Sequence, residues 1–356
     1  MKLIHGLHWR NLRGDLYGGI TAGVVALPLA LAMGVASGAG PIAGLYGAIF
    51  VGFFAALFGG TPAQVSGPTG PMTVVMAAIF TQYTAMFPDD PARGAALAFT
   101  VVMLGGLFQI LFGFLKIGKF IELVPHPVVS GFMSGIGVII ILLQLPPLLG
   151  FPAQNGPLAS AEVLPQALNA LVPDALILGA IALVIVFFMP KKLGRLIPSP
   201  LVALIVGTLL YLLFFRGGPA SILGDIPTGL PNPQWPVFEF ALLPQMLQSA
   251  LTLAALGAID SLLTSLVADN ITRTYHQSDR ELIGQGIGNT LAGLFGGLPG
   301  AGATMRTVVN VKAGGQTPLS GATHALVLLA IALGAGALAS KIPHAVLAGI
   351  LINVGI

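Results

Sequence analysis

The chain alternates long apolar runs with short polar links, and each run has the length of one or more membrane-spanning helices. The longest stretch without a charged residue covers positions 16–88. About 20 apolar residues cross the hydrocarbon core of a bilayer as a helix. The pattern predicts an all-α polytopic membrane protein with twelve segments, near 15–36, 41–59, 69–86, 94–114, 118–145, 173–189, 198–215, 245–268, 280–296, 303–312, 319–339 and 342–356.

The composition excludes a soluble globular domain. Only 27 of the 356 residues carry a formal charge, which is 8% of the chain, whereas a soluble domain has about 25%. The absence of cysteine excludes disulfides, thiol catalysis and thiolate metal sites. The net charge of +3 is spread along the chain without an aromatic and basic patch. The expected partners therefore include the lipid bilayer and no nucleic acid.

Lysine and arginine residues in the short loops predict the orientation, because positive residues are enriched in cytoplasmic loops. With a cytoplasmic N-terminus, that side receives eleven of them, namely Lys2, Arg10, Arg13, Lys116, Lys119, Lys191, Lys192, Arg195, Arg273, Arg280 and Lys312. The opposite side receives three, Arg93, Arg216 and Lys341. We therefore expect a multi-pass protein of a bacterial inner (plasma) membrane with its N-terminus in the cytoplasm.

Two short strings recur in the same order along the chain. The string LFGG at 57–60 recurs at 294–297, 237 residues later, and TVV at 73–75 recurs at 307–309, 234 residues later. The third and tenth segments then occupy equivalent places that are separated by seven crossings. Because an odd number of crossings inverts the second half, the sequence predicts the inverted repeat that is common in secondary transporters.

The links before these two segments are rich in glycine and proline, with GTPAQVSGPTGP at 60–71 and GGLPGAG at 296–302. Irregular backbone at membrane depth is tolerated only inside protein or beside a water-filled cavity. Broken third and tenth helices that start near Thr69 and Ala303 would direct free N–H groups and positive dipole ends at the bilayer midplane, where they would form an anion site. The alternative is that both links are ordinary surface loops.

Two charged residues fall inside predicted helices and are candidates for function. Arg306 follows the start of the tenth segment, and an arginine at this depth needs an anion or an acidic partner. It either attracts the substrate anion or serves as a structural or snorkelling arginine. Asp260 lies mid-span in the eighth segment. It either binds a coupling cation, by protonation or as a sodium ligand with Thr264 one turn on, or it is the partner of Arg306.

The remaining polar residues indicate no catalytic chemistry. Asp269 and Glu281 are expected at helix ends on the cytoplasmic face, with Asp279 capping the following helix. His324 is expected to be a packed polar residue. The sequence has no metal-enzyme spacing of His, Asp and Glu, no Ser-His-Asp order and no GxxxxGK[ST] string. It therefore predicts neither an enzyme nor a nucleotide-driven pump, and no cofactor apart from a coupling ion, H⁺ or Na⁺.

Ordered motifs over nearly the whole chain resemble the sulfate permease (SulP) family of anion transporters, which includes prestin. The matching strings are DLYGGITAGVVALPLALA at 15–32, GLYG at 44–47, FGGTPAQVSGPT at 58–69, HPVVSGFMSG at 126–135, RELIGQGIGN at 280–289 and GGLPGAGATMRTVVNVKAGGQTPLSG at 296–321. The last string is the most specific of the six.

This resemblance implies a 7+7 inverted repeat of fourteen segments, shared with nucleobase symporters, of which about twelve are present. A core subdomain at about 13–115 and 245–340 would carry the anion beside a gate subdomain at about 116–244 and 341–356, in an elevator-like movement. The family normally ends with two more segments and a cytoplasmic STAS domain, which are absent from this sequence. A homodimer is the protein partner to be considered.

The resemblance also implies site residues. By position, the substrate site would consist of Leu29, Met33, Thr69, Gly70, Thr304, Met305 and Arg306. Leu29 stands where many members have glutamine, and Met33 stands where an aromatic residue is common. The set that resembles the sodium site of the bicarbonate-transporting branch is Asp260, Thr264, Gly302, Ala303 and Thr304. Elsewhere in the family, an acid at the position of Asp260 accompanies proton coupling.

The sequence thus predicts a secondary active transporter that moves a small anion, with H⁺-coupled symport as the first hypothesis. The alternatives are an Na⁺-coupled bicarbonate-type symporter and a passive anion channel of the same fold. An apolar wall beside a cationic one suits a carboxylate or dicarboxylate at least as well as sulfate or bicarbonate. Arg306 and the matched strings argue against nucleobase uptake.

Overall fold

The computed structural model is mostly helical, as the apolar runs predict, and it describes residues 4–121, 126–154, 156–190, 198–223, 232–334 and 340–356. The helices of the first half are α1 Leu12–Ala36, α2 Pro41–Phe58, α3 Gly70–Met86, α4 Pro91–Phe114, the short α5 Gly118–Ile121, α6 His126–Leu148, α7 Pro157–Asn169 and α8 Pro173–Phe188. Those of the second half are α9 Ser199–Leu210, α10 Leu243–Thr272, α11 Ser278–Leu294, α12 Thr304–Lys312, α13 Pro318–Gly334 and α14 His344–Gly355.

Proline and polar caps define many of the helix starts. Helices α2, α3, α4, α7, α8, α9 and α10 carry proline in their first two positions, where its fixed φ suits the first turn and its missing N–H costs nothing. At the start of α4, the Asp90 carboxylate also accepts a hydrogen bond from the backbone N–H of Arg93 (3.1 Å).

Among the described residues, four helical stretches are long and apolar enough to cross a bilayer individually, Trp9–Ala36, Pro41–Phe58, Pro91–Phe114 and Phe240–Thr272. A fifth crossing would combine α7 and α8, which meet at an angle of 116°. Shorter apolar helices, including α13 and α14, accompany them. The chain is therefore a multi-pass integral membrane protein, as its composition predicts.

The predicted segments differ from the observed helices in a few places. Helix α7 is missing from the prediction, because Glu162 and Gln166 interrupt its apolar pattern. The segment predicted at 118–145 contains α5 and α6, and residues 122–125 between them lie outside the described residues. Four of the residues that predict the orientation also lie outside the described residues, namely Lys2, Lys191, Lys192 and Arg195.

The helices pack in two groups. In the first group, α11 packs against α2 and α4, α13 packs against α1 and α2, and α10 packs against α4. In the second group, α14 packs against α6 and α8, and α9 packs against α8. The two groups meet where α1 contacts α9 and α14 and where α3 contacts α6.

Two very short strands join the halves of the chain inside the first group. Strand β1 (Ser66–Gly67) pairs antiparallel with β2 (Ala301–Gly302), with Ser66 opposite Gly302. Both strands are buried, and each leads within three residues into a helix, β1 into α3 and β2 into α12. The pairing therefore brings the starts of α3 and α12 together.

Candidate functional site

The starts of α3 and α12 face a common cavity of about 410 Å³. Neither helix has a side-chain cap on its first turn. The first-turn amides of a helix have no carbonyl partner within the helix. In α12 these amides belong to Thr304, Met305 and Arg306, whereas proline at position 71 removes one from α3. The cavity wall therefore presents free N–H groups and two positive helix dipole ends.

All of the residues predicted for the substrate site line this cavity. They are Leu29, Met33, Thr69, Gly70, Thr304, Met305 and Arg306. The opposite wall comes from α6 and α14 and includes Ile136, Ile140 and Val354. Leu29 and Met33 are buried and form part of the apolar lining. The cavity therefore combines apolar walls with a polar, N–H-rich end.

Arg306 is the cation of the cavity wall, and its side chain is 2% exposed. Its Nη2 donates a hydrogen bond to the backbone carbonyl of Pro68, directly before α3. Its Nη1 has no hydrogen-bond partner among the described residues. A buried guanidinium N–H without an acceptor is energetically costly. The guanidinium therefore places a positive charge in the cavity wall, with Nη1 packed beside Gly67.

Four of the five residues predicted for the cation site also line the cavity: Asp260, Gly302, Ala303 and Thr304. The Asp260 carboxylate accepts a hydrogen bond from the hydroxyl of Thr69 (2.7 Å).

Thr264, the fifth residue of that set, lies fully buried behind the wall. Its hydroxyl donates to the carbonyl of Gly302 (2.9 Å) and shares a hydrogen bond with the hydroxyl of Thr304 (2.7 Å). Oxygen atoms from α10, β2 and α12 thus meet next to the starts of both helices. The described residues contain no group of three or more His, Asp or Glu side chains that could hold a metal ion.

Glu281 lies at a helix end, as the sequence predicts, but it is buried there and holds several hydrogen bonds. It is 1% exposed and lies in the first turn of α11. One carboxylate oxygen accepts hydrogen bonds from the backbone N–H groups of Gly60 and Thr61 (2.9 Å each). The other accepts from the side-chain amides of Gln64 (2.7 Å) and Gln285 (2.8 Å). The sequence does not indicate this burial, because the loop that covers the helix start, directly before β1, is distant in sequence.

The neighbouring prediction for Asp279 needs correction, whereas those for Asp269 and His324 agree with the structure. Helix α11 begins at Ser278 after Gln277, and Asp279 does not cap it; its carboxylate accepts from the backbone N–H of Gly118 (3.0 Å) and so ties α11 to α5. Asp269 lies in the last turn of α10, as expected for a helix-end residue, and pairs with His276 (2.7 Å). His324 is fully buried, as predicted.

Apolar helices around a cavity lined by two helix starts define a multi-pass membrane protein with a polar cavity between its helices. The sequence profile described as the Sulfate permease family matches residues 12–356. The chain belongs to this family, which confirms the resemblance seen in the sequence. Membership of a permease family also confirms the prediction that the chain is not an enzyme.

Comparison with known proteins adds closer relatives. The chain is 52% identical to the bicarbonate transporter BicA of Synechocystis sp., with the match covering all of this chain and 63% of that protein. The chain thus spans less than two thirds of the length of this curated relative.

Solved structures match as well. The transmembrane domain of a cyanobacterium bicarbonate transporter BicA superposes with a TM-score of 0.94 at 51% identity, over 99% of this chain and 91% of that one. The murine Solute Carrier 26 family member A9 anion transporter, in its inward-facing state, gives a TM-score of 0.86 at 21% identity, over 98% of this chain and 61% of that one. The second likeness shows the shared fold alone.

Proposed function

We propose that this chain is the membrane domain of a secondary active transporter that carries a small anion through the cavity between α3 and α12. The observation that carries the proposal is the buried guanidinium of Arg306 in the wall of that cavity, whose Nη1 has no partner among the described residues. Free first-turn amides of two helices line the same wall, and helix N-termini bind anions. A small anion would satisfy all of these donors at once.

Bicarbonate is the first substrate to test. It is small enough for the cavity, and its planar oxygen atoms can accept from Arg306 and from backbone amides in parallel. The 52% identical relative is described as a bicarbonate transporter, which supports bicarbonate over the dicarboxylate that the apolar wall formed by Leu29 and Met33 suggests. Sulfate is the second candidate, because the family is described as sulfate permeases.

We further propose that Asp260 carries the coupling to a cation. Its carboxylate lines the anion cavity, so a cation bound there would reduce the repulsion between Asp260 and the substrate. Protonation of Asp260 would achieve this in an H⁺ symporter. The adjacent oxygens of Gly302, Thr264 and Thr304 favour Na⁺ as the second hypothesis, since irregular backbone carbonyls beside half-helices coordinate Na⁺ in transporters.

The transport cycle that we propose is a movement of one helix group against the other. The group that contains α1–α4 and α10–α13 would be the core subdomain, and the group that contains α6–α9 and α14 would be the gate subdomain. The separate packing of the two groups supports this division. The antiparallel pairing of β1 with β2 supports an inverted 7+7 repeat with broken third and tenth helices. The cytoplasmic N-terminus, the bacterial inner membrane and the homodimer belong to the same proposal.

Uptake by proteoliposomes tests the function. We expect labelled bicarbonate or sulfate to accumulate when an inward H⁺ or Na⁺ gradient is imposed, and each gradient is tested alone. Replacement of Arg306 by alanine removes a charge-assisted hydrogen bond worth about 1.5–3 kcal/mol, so the apparent affinity should fall about tenfold or more. Arg93→Ala is the matched control, because Arg93 pairs with Glu239 at an exposed position far from the cavity.

Each outcome separates the proposal from its rivals. Unchanged uptake by the Arg306→Ala variant, in protein that elutes and unfolds like the parent, would remove Arg306 from the site. Anion currents that only follow the anion gradient, with no response to H⁺ or Na⁺, would instead identify a passive channel of the same fold.

A further inference from the structure

Glu281 is a buried carboxylate that has no direct role in the anion transport proposed above. It does not line the cavity; it lies behind the segment 60–66, which runs from the end of α2 to β1. Each of its two oxygens accepts two N–H donors, and three of the four donors belong to this segment, at Gly60, Thr61 and Gln64. The carboxylate therefore fixes the segment at both its beginning and its middle.

The same hydrogen-bond network extends to β1 itself. The Gln285 side-chain amide donates both to Glu281 (2.8 Å) and to the hydroxyl of Ser66 (2.6 Å). The side-chain oxygen of Gln64 accepts a hydrogen bond from the hydroxyl of Ser265 on α10 (3.0 Å). These polar side chains tie segment 60–66 to α10 and α11, and the backbone N–H of Gln277, directly before α11, also donates to the carbonyl of Gly60 (3.1 Å).

The fit around this carboxylate is close. Gly59 packs against Gly284 of α11, and a Cβ atom at position 59 would lie 2.8 Å from one Glu281 oxygen. No side chain other than hydrogen could stand between the segment and the carboxylate. The backbone of Gly59, directly before segment 60–66, therefore packs closely against α11 beside the Glu281 carboxylate.

We propose that Glu281 is a positioning residue for the substrate anion, which it never touches. Segment 60–66 leads directly into Pro68, whose carbonyl holds Arg306, and into Thr69, which binds Asp260. By fixing the segment, Glu281 sets the place of these groups relative to β2 and the start of α12. This inference rests on the proposed function, and it predicts that loss of the carboxylate weakens anion affinity and leaves the turnover step largely intact.

The test compares three variants in the full chain by proteoliposome uptake of bicarbonate and sulfate. Glu281→Gln replaces one carboxylate oxygen by an amide NH₂ group, which cannot accept from the two N–H donors that face it. This variant should therefore raise the apparent KM at least fivefold, with the maximal rate within twofold of the parent. Glu281→Asp keeps the carboxylate on a shorter side chain and should restore part of the affinity. Gln285→Met removes one of the four donors to Glu281 together with the link to Ser66, and it should give a smaller rise in KM. It decides the case if Glu281→Gln does not fold.

The matched control is Asp15→Asn. Asp15 is also a fully buried carboxylate, but it accepts from Gln316 and Thr317 in the link after α12 (2.7 and 2.9 Å). We expect this variant to lose stability and to keep its KM within twofold. An unchanged KM in both Glu281→Gln and Gln285→Met, or an equal rise in Asp15→Asn, would overturn the positioning role.

A labelling experiment tests the same inference without transport, so its failure can be told apart from that of the proposed function. The chain has no cysteine, and Val65 is fully buried. A single Val65→Cys change should resist a membrane-permeant thiol reagent in the parent and in Asp15→Asn, and it should react at least fivefold faster in Glu281→Gln. Equal reaction rates in the parent and Glu281→Gln would show that Glu281 does not fix the segment.

Discussion

Two buried acids in this protein have different surroundings, and the difference suggests different roles. Glu281 has four N–H donors on its two oxygens and does not line the cavity. Asp260 lines the cavity and, among the described residues, accepts a hydrogen bond from one donor, the hydroxyl of Thr69. A carboxylate with free acceptor positions beside a substrate site can exchange a proton or bind a cation, whereas a saturated one holds structure together.

At the residue scale, Asp260→Asn should uncouple transport from its cation. The amide is similar in size to the carboxylate and can still accept from Thr69, but it neither takes up a proton nor offers a charge to Na⁺. We expect anion exchange down a concentration gradient to persist and accumulation on an imposed gradient to disappear. The measurement is uptake in parallel liposome preparations with and without the gradient. If the variant still concentrates the anion, another residue carries the coupling.

The sequence predicts individual site residues only where hydropathy makes them conspicuous. Arg306 and Asp260 stand out because a charge inside an apolar run is rare. Glu281 does not stand out, because it lies in the polar first turn of α11, where acidic residues are ordinary. Its burial depends on the loop before β1, which is 217 or more residues away in the chain.

At the element scale, the site depends on the two short strands, because their pairing places the starts of α3 and α12 next to each other. The sequence predicts that the two helices start near residues 69 and 303. In the structure they start one residue later, at Gly70 and Thr304. It does not predict the strand pairing, because two residues are too few to show the alternation of a β-strand. The sequence also does not predict helix α7, because this amphipathic helix is not a continuous apolar run.

Gly67 gives a test at this scale. It has φ +153°, and a Cβ atom there would lie 2.9 Å from Arg306 Nη1 and 3.2 Å from the backbone of Ala48. Gly67→Ala should therefore displace either β1 or Arg306. We expect a loss of about 1–3 kcal/mol of unfolding free energy from backbone strain together with a clear loss of uptake. Thermal unfolding in detergent and uptake in liposomes measure the two effects.

The control for this change is Gly131→Ala in α6, where an added Cβ meets no atom within 4 Å. That variant should be neutral or slightly more stable, since alanine favours a helix over glycine by about 0.5–1 kcal/mol. Equal behaviour of the two variants would mean that the conformation at Gly67 does not matter to the site.

At the scale of the whole molecule, the two helix groups have different relations to the cavity. The N–H-rich end comes from α3 and α12 in one group, and an apolar wall comes from α6 and α14 in the other. In the transport cycle proposed above, an apolar wall would bind the anion weakly, so its movement past the site would change access and leave the binding groups in place. The sequence predicts the number and order of most helices, but their grouping depends on side-chain packing between distant helices.

The most direct test of the account is an experimentally determined structure of the protein with saturating bicarbonate. We predict density for one anion between the starts of α3 and α12, within hydrogen-bond distance of the Arg306 guanidinium and of the first-turn amides. An ordered anion elsewhere in the molecule, with only water between these two helix starts, would contradict the central claim.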